Sequence, residues 1–123
     1  MHSPSDVLPA RRTGLTCRMW RGWTTRVNAD AYRSYLEDEL FPNMVSELGP
    51  RGYLGHQLIT QNAEHEVEFV AVTWFASLDS VQAFAGDDVT RANVSAKARS
   101  LLARWDEHAT HFELSSERLS SIG

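Results

Sequence analysis

The segment Glu66 to Gly86, EVEFVAVTWFASLDSVQAFAG, does most to limit how this chain can fold. Val67 to Phe75 is a nearly unbroken apolar, β-branched and aromatic run, which suits a strand covered on both faces. Ser77 then stands where an N-cap belongs, ahead of Leu78, Val81, Ala83 and Phe84 at helical spacing, and Gly86 is a natural stop. A strand that turns directly into a helix is half of a βαβ unit, so a partner unit is expected elsewhere in the chain.

The N-terminal half supplies it. Thr16 to Thr25 reads as a strand with Cys17, Met19, Arg21 and Trp23 on one face and Arg18, Trp20 and Gly22 on the other. Neither face is cleanly polar. Asn28 is placed to cap a helix carrying Tyr32, Leu36, Leu40 and Met44, with Tyr35 and Phe41 alongside. Pro42 falls inside that pattern and predicts a kink or a break, and Gly49-Pro50 ends it. Tyr53 to Gln61 is a second strand, with Tyr53, Gln57 and Ile59 alternating against Leu54, His56 and Leu58. A polar loop, Asn62 to His65, leads into the Val67 strand. Beyond Gly86, Asp87-Asp88 could begin another helical turn. Ser95 to Glu107 reads as mostly helical, with Ala98, Leu101, Leu102 and Trp105 on one side, and Ala109 to Leu114 as a final strand.

Two βαβ units joined by a hairpin predict an α+β, ferredoxin-like split βαβ fold with a four-stranded antiparallel sheet. Residues 1–14 read as a disordered leader, 15–115 as a single domain and 116–123 as a tail. Helices suffice for one sheet face only, so the other would expose large apolar groups, and a homodimer formed sheet to sheet is the expected remedy.

Composition narrows the partners. A net charge of -4 with no basic cluster argues against nucleic acid. No apolar run approaches the roughly 20 residues that span a bilayer, and no signal-peptide pattern stands at the start, so a cytoplasmic protein is the expectation. Cys17 is the single cysteine, and no metal-ligand cluster, glycine-rich phosphate loop or Ser-His-Asp spacing stands out.

Three stretches carry a family resemblance: W-R-G-W on the first strand, F-x-S-L-D-x-V-x-A-F-A-G-x-D around the central helix, and the closing H-F-E-L. Over roughly Thr16 to Leu114 the chain resembles the antibiotic biosynthesis monooxygenase superfamily of dimeric α+β barrels, in a small branch of it. The resemblance implies a cofactor-free monooxygenase acting on a planar aromatic or polyketide-type substrate with O2. The superfamily also holds haem-degrading enzymes, which place a Trp near the end of the helix after strand three and a haem-ligating His some turns later. Here Phe84 and Val94 take those positions, which disfavours haem. No cofactor is expected. Two other readings stay open: a cyclase or isomerase using acid-base chemistry, and a non-catalytic ligand-binding or stress-associated barrel.

Cofactor-free oxygenation needs a dry aromatic pocket, a base and a partner for a developing oxyanion. The candidate pocket residues are Trp20, Trp23, Tyr32, Tyr35, Trp74, Phe75 and Phe84. Trp74 and Phe75 point to opposite faces, as do Trp20 and Trp23, so each pair gives one cavity at most one ring. His56 and His111 are candidate bases, or structural histidines. Arg21 is a candidate oxyanion partner, or a strand Arg paired with a carboxylate such as Glu113. If the last strand pairs with the first, Arg21 and His111 could share one site.

Overall fold

The structure, a computed structural model, describes residues 14–120. The expected leader therefore lies outside the described residues except for Gly14, as do the last three positions of the expected tail. The strands are β1 (Thr16–Thr25), β2 (Tyr53–Asn62), β3 (Glu66–Phe75), β4 (Arg104–Trp105) and β5 (Thr110–Glu113). They form one antiparallel sheet in the order β2-β3-β1-β4, with β5 also on β1. This is the ferredoxin-like arrangement, with one correction to the expected four strands. The outer position beside β1 is shared by two short strands, β4 against Gly22 and Trp23, and β5 against Thr16 to Met19.

The first helical stretch does not break at Pro42; it is continuous and changes geometry just ahead of that residue. Helix α1 (Ala29–Tyr35) passes into a π-turn (Leu36–Leu40) and then α2 (Phe41–Leu48). Phe41 N–H bonds back five residues to Leu36 O, a widened turn placed directly before the residue that has no N–H to give. Asn28 occupies the N-cap position but makes no side-chain cap; its Nδ2 donates instead to Leu101 O at 3.3 Å, tying the start of α1 to a distant part of the chain. Helix α3 (Leu78–Ala85) starts and stops as its sequence dictates. Ser77 Oγ accepts from Ser80 N–H at 3.2 Å, and Gly86 closes it with φ 85°.

Two expectations fail near the C-terminus. Asp87-Asp88 begins no helix; the Asp88 carboxylate accepts from the Thr90 N–H and hydroxyl, making a turn. Helix α4 covers only Ala96–Leu101, because Leu102 is already extended at φ -83°, ψ 141°. Ala103 N–H then bonds Trp23 O at 2.7 Å and Asp106 N–H bonds Arg21 O at 2.9 Å. The edge of β1 captures residues whose own preference is helical, and Trp105 sits in a strand. A register shift between Tyr53 and Gly55 corrects the reading of β2 as well: Tyr53 joins His56 and Leu58 on the helix-covered face, with its ring 5.4 Å from Phe75.

The helices cover the sheet face made by Arg18, Trp20, Phe69, Ala71, Thr73 and Phe75. Tyr32, Phe69, Phe75 and Val81 are fully buried there, with Tyr32 edge-on to Phe69 at 4.9 Å. The opposite face carries Met19, Arg21, Trp23, Ile59, Val70, Trp74 and Phe112, and Ile59 and Phe112 are each 52% exposed.

Candidate functional site

A cavity of about 80 Å³ lies between the sheet and the helices. Each wall has a local cause. Alternation along β1 aims Arg18 and Trp20 inward, and Ala71 and Thr73 on β3 stand opposite them in register with Trp20 and Arg18. Small residues at 71, 92 and 98 leave the space that larger ones would fill. The π-turn brings Leu36, Leu40 and Phe41 to the same side, and Tyr32, Tyr35 and Met44 complete the helical wall. Phe84 and the stretch Ala92 to Ser95 close it. Tyr35 and Ser95 share a hydroxyl-hydroxyl bond of 2.7 Å, which pins that stretch to α1.

The cavity does not end at its wall. Leu40, Met44, Phe84, Asn93 and Ser95 also line an outer groove of about 260 Å³, where Asn43, Glu47 and Leu48 join them. The cavity is only partly enclosed, and this groove adjoins it beside its mouth.

Arg18 is the one cationic side chain among the described lining residues, and it is only 3% exposed. Its Nη1 donates to Val89 O and contacts Nε2 of His111 at 3.1 Å, and Nη2 donates to Arg91 O at 3.0 Å. The guanidinium also stands 5.3 Å from the centre of the Phe84 ring. Burial lowers its pKa to about 10, so it stays charged at neutral pH. His111 is held below its ordinary value by burial first and by the Arg18 charge second. Since a guanidinium only donates, the bond between them fixes Nε2 as the acceptor and puts the proton on Nδ1.

Of the pocket residues expected from the sequence, Trp20, Tyr32, Tyr35 and Phe84 line the cavity. Trp23 and Trp74 lie on the other sheet face: Arg104 stacks on Trp23 at 3.9 Å, and Trp74 Nε1 donates to Gln57 at 2.6 Å. Phe75 faces the helices but is sealed in the core behind the cavity, packed on Tyr53 and Phe84. His56 stacks on Phe41 at 3.6 Å, stands 3.5 Å from Glu37, and does not line the cavity.

Arg21 and His111 do not meet. In the β1–β5 register His111 stands opposite Arg18, so it shares the helix-covered face, whereas Arg21 is on the other. Arg21 finds carboxylates there, Asp106 at 3.4 Å and Glu68 at 3.6 Å, and Glu113 is not its partner. His111 itself opens onto a separate surface groove beside Thr16 and Ser77. Arg18 went unassigned in the sequence although it shares a strand face with Trp20. The available signal was that a charged residue on the strand face opposite Arg21 also needed a partner.

Among the described residues no His, Cys, Asp or Glu group is arranged to hold a metal ion, and no helix is long and apolar enough to cross a membrane. No family profile matches the chain, and no curated protein matches it. Solved structures do. A dimeric ferredoxin-like protein from an uncultured marine organism superposes with a TM-score of 0.59 at 16% identity, over 89% of this chain and 94% of that one. A proposed antibiotic biosynthesis monooxygenase from Bacillus cereus superposes with a TM-score of 0.58 at 7% identity, over 87% of this chain and 99% of that one. The fold is thus the one that the family resemblance implies.

Proposed function

We propose that this chain forms a homodimer of ferredoxin-like subunits, each binding a flat aromatic molecule in the cavity and oxidising it with O2 without a cofactor. The observation that carries this reading is the cavity itself, five aromatic side chains and apolar neighbours beside a single buried arginine. Dimerisation rests on the helix-free sheet face and on the dimeric state of the similar protein.

In such an oxidation an activated ring methylene becomes a ring carbonyl, R2CH2 + O2 giving R2CO + H2O. The substrate enters as its enolate, its acidic proton already given up to solvent, and this electron-rich anion reduces O2. One oxygen atom is retained in the product and the other leaves as water. Trp20, Tyr32, Tyr35 and Phe84 would clamp the ring and keep water out, and Arg18 would stabilise the enolate oxygen. At roughly 10–15 Å³ for each water-sized guest, the cavity has room for about one ring. A polycyclic substrate would extend through the mouth into the outer groove.

A second reading, binding without turnover, is favoured by one observation: among the described lining residues there is no carboxylate, imidazole or thiol. The same observation weighs against a cyclase or isomerase, which would need a protein base at the ring. Oxygen uptake with an anthrone separates them. Consumption above a protein-free blank, reduced at least tenfold by Arg18→Met, supports oxygenation. Saturable quenching of tryptophan fluorescence with no oxygen consumed assigns the chain to binding.

A further inference from the structure

Arg18 is a buried cation for which the described protein supplies no counter-charge. Its acceptors are two backbone carbonyls and a neutral imidazole nitrogen. No described carboxylate lies within ion-pairing distance of it, while the Arg–carboxylate pairs among the described residues each have at least one exposed partner. Three of the five guanidinium N–H groups are engaged. Nε–H and the second hydrogen on Nη2 have no acceptor among the described residues, and Arg18 forms part of the cavity wall. The rest of the site is built to hold it still. Asp88 and Thr90 shape the turn that presents the Val89 and Arg91 carbonyls. That turn is in turn tied to the 107–109 stretch through Ala92 N–H to Glu107 O and Ala109 N–H to Thr90 O.

A charge desolvated this thoroughly and left with open donors is matched by a ligand anion. Resting on the reading of this cavity as the ligand site, we infer that its ligand is a monoanion, a single planar ring bearing one ionised oxygen that pairs with Arg18. The charge is one because Arg18 is the one cation in the described lining. The ring is single within the cavity because of its volume. The oxygen arrives already ionised because no described lining residue can take its proton, which points to an acidic phenol, enol or aryl acid rather than a neutral ketone.

The test is equilibrium binding at a pH just below the ionisation of the probe 4-nitrophenol, whose phenolate absorbs visible light apart from the neutral phenol. Added protein should increase the phenolate band to saturation, because a site that prefers the anion draws the proton off by linkage. Neutral nitrobenzene should bind at least tenfold more weakly, the size of a charge-assisted hydrogen bond. Arg18→Met should abolish the band increase and Arg18→Lys should keep part of it. Benzoate should displace the phenolate, and its rank against 4-nitrophenol tells aryl acid from phenol. The inference is overturned if the band shrinks on binding, if nitrobenzene binds as tightly, or if none of the three probes binds at millimolar concentration. The comparison among probes needs only the unaltered protein, so it stands even if Arg18→Met fails to fold. Oxygen is not involved, so loss of the oxygenation reading leaves this result intact; turnover of a neutral anthrone with no phenolate binding would sink this inference alone.

Discussion

Ala71→Leu should make the protein more stable and less able to bind. Ala71 lies in the middle of β3, pairs with Trp20 and Leu58, and faces the cavity. If the space of about 80 Å³ were dry, leaving it unfilled would cost about 2 kcal/mol at ~24 cal/mol per Å³. Adding three carbon atoms at ~0.8 kcal/mol each gives a similar figure, about 2 kcal/mol. The mouth admits solvent, so this is an upper bound, and a gain of about 1 kcal/mol in urea unfolding is the expected result. The same leucine should remove 4-nitrophenol binding. A site kept open for a ligand shows this opposition between stability and function. Destabilisation by more than about 1 kcal/mol would show that the walls have no room for the side chain. Greater stability with binding unchanged would place the ligand somewhere else.

Gly52→Ala should destabilise the fold by about 2–5 kcal/mol, because φ there is +105° and a Cβ would meet Ser80 Oγ at 2.1 Å and Ser80 Cβ at 2.8 Å; a loss under 1 kcal/mol in urea unfolding would refute that geometry. His111→Phe should flatten the pH dependence of stability. The folded state holds this histidine below its ordinary value, so its contribution is complete above about 6.5 and is lost progressively as pH falls from there through the lower folded value, because the unfolded chain takes a proton that the native state refuses. Urea midpoints measured from pH 7 to 5 should drop less in the variant than in the parent, and parallel slopes would contradict the assignment. Sedimentation at micromolar concentration should give twice the chain mass of 13.9 kDa, with Ile59→Asp on the open sheet face yielding the monomer; a parent that sediments as a stable monomer would rule out the sheet-to-sheet dimer.

What the sequence made legible was local and periodic. The β3–α3 unit, the Ser77 cap, the Gly86 stop and the alternation along β1 all follow from short-range chemistry, and the structure keeps each of them. What it hid was set by pairing between distant residues. Alternation separates Arg18 from Arg21, but only the β1–β5 register shows that His111 stands opposite Arg18 and that Asp106 and Glu68 take Arg21. The bulge before Gly55 moves Tyr53 to the other face, a change that no alternation count detects. The helix expected over Ser95 to Glu107 loses its second half to the open edge of β1. Four of the seven expected pocket rings line the cavity because helix periodicity and strand alternation place them. Trp23, Trp74 and Phe75 fall outside it because aromatic character does not distinguish a cavity wall from core or from an open face.

If the cavity beside Arg18 is where the ligand sits, a crystal structure of the protein soaked with 4-nitrophenol will show it there. Density is expected for one ring among Trp20, Tyr32, Tyr35 and Phe84, with the phenolate oxygen about 2.7–2.9 Å from the Arg18 guanidinium. Density only on the open sheet face or in the groove beside His111, with the cavity unchanged, would contradict it.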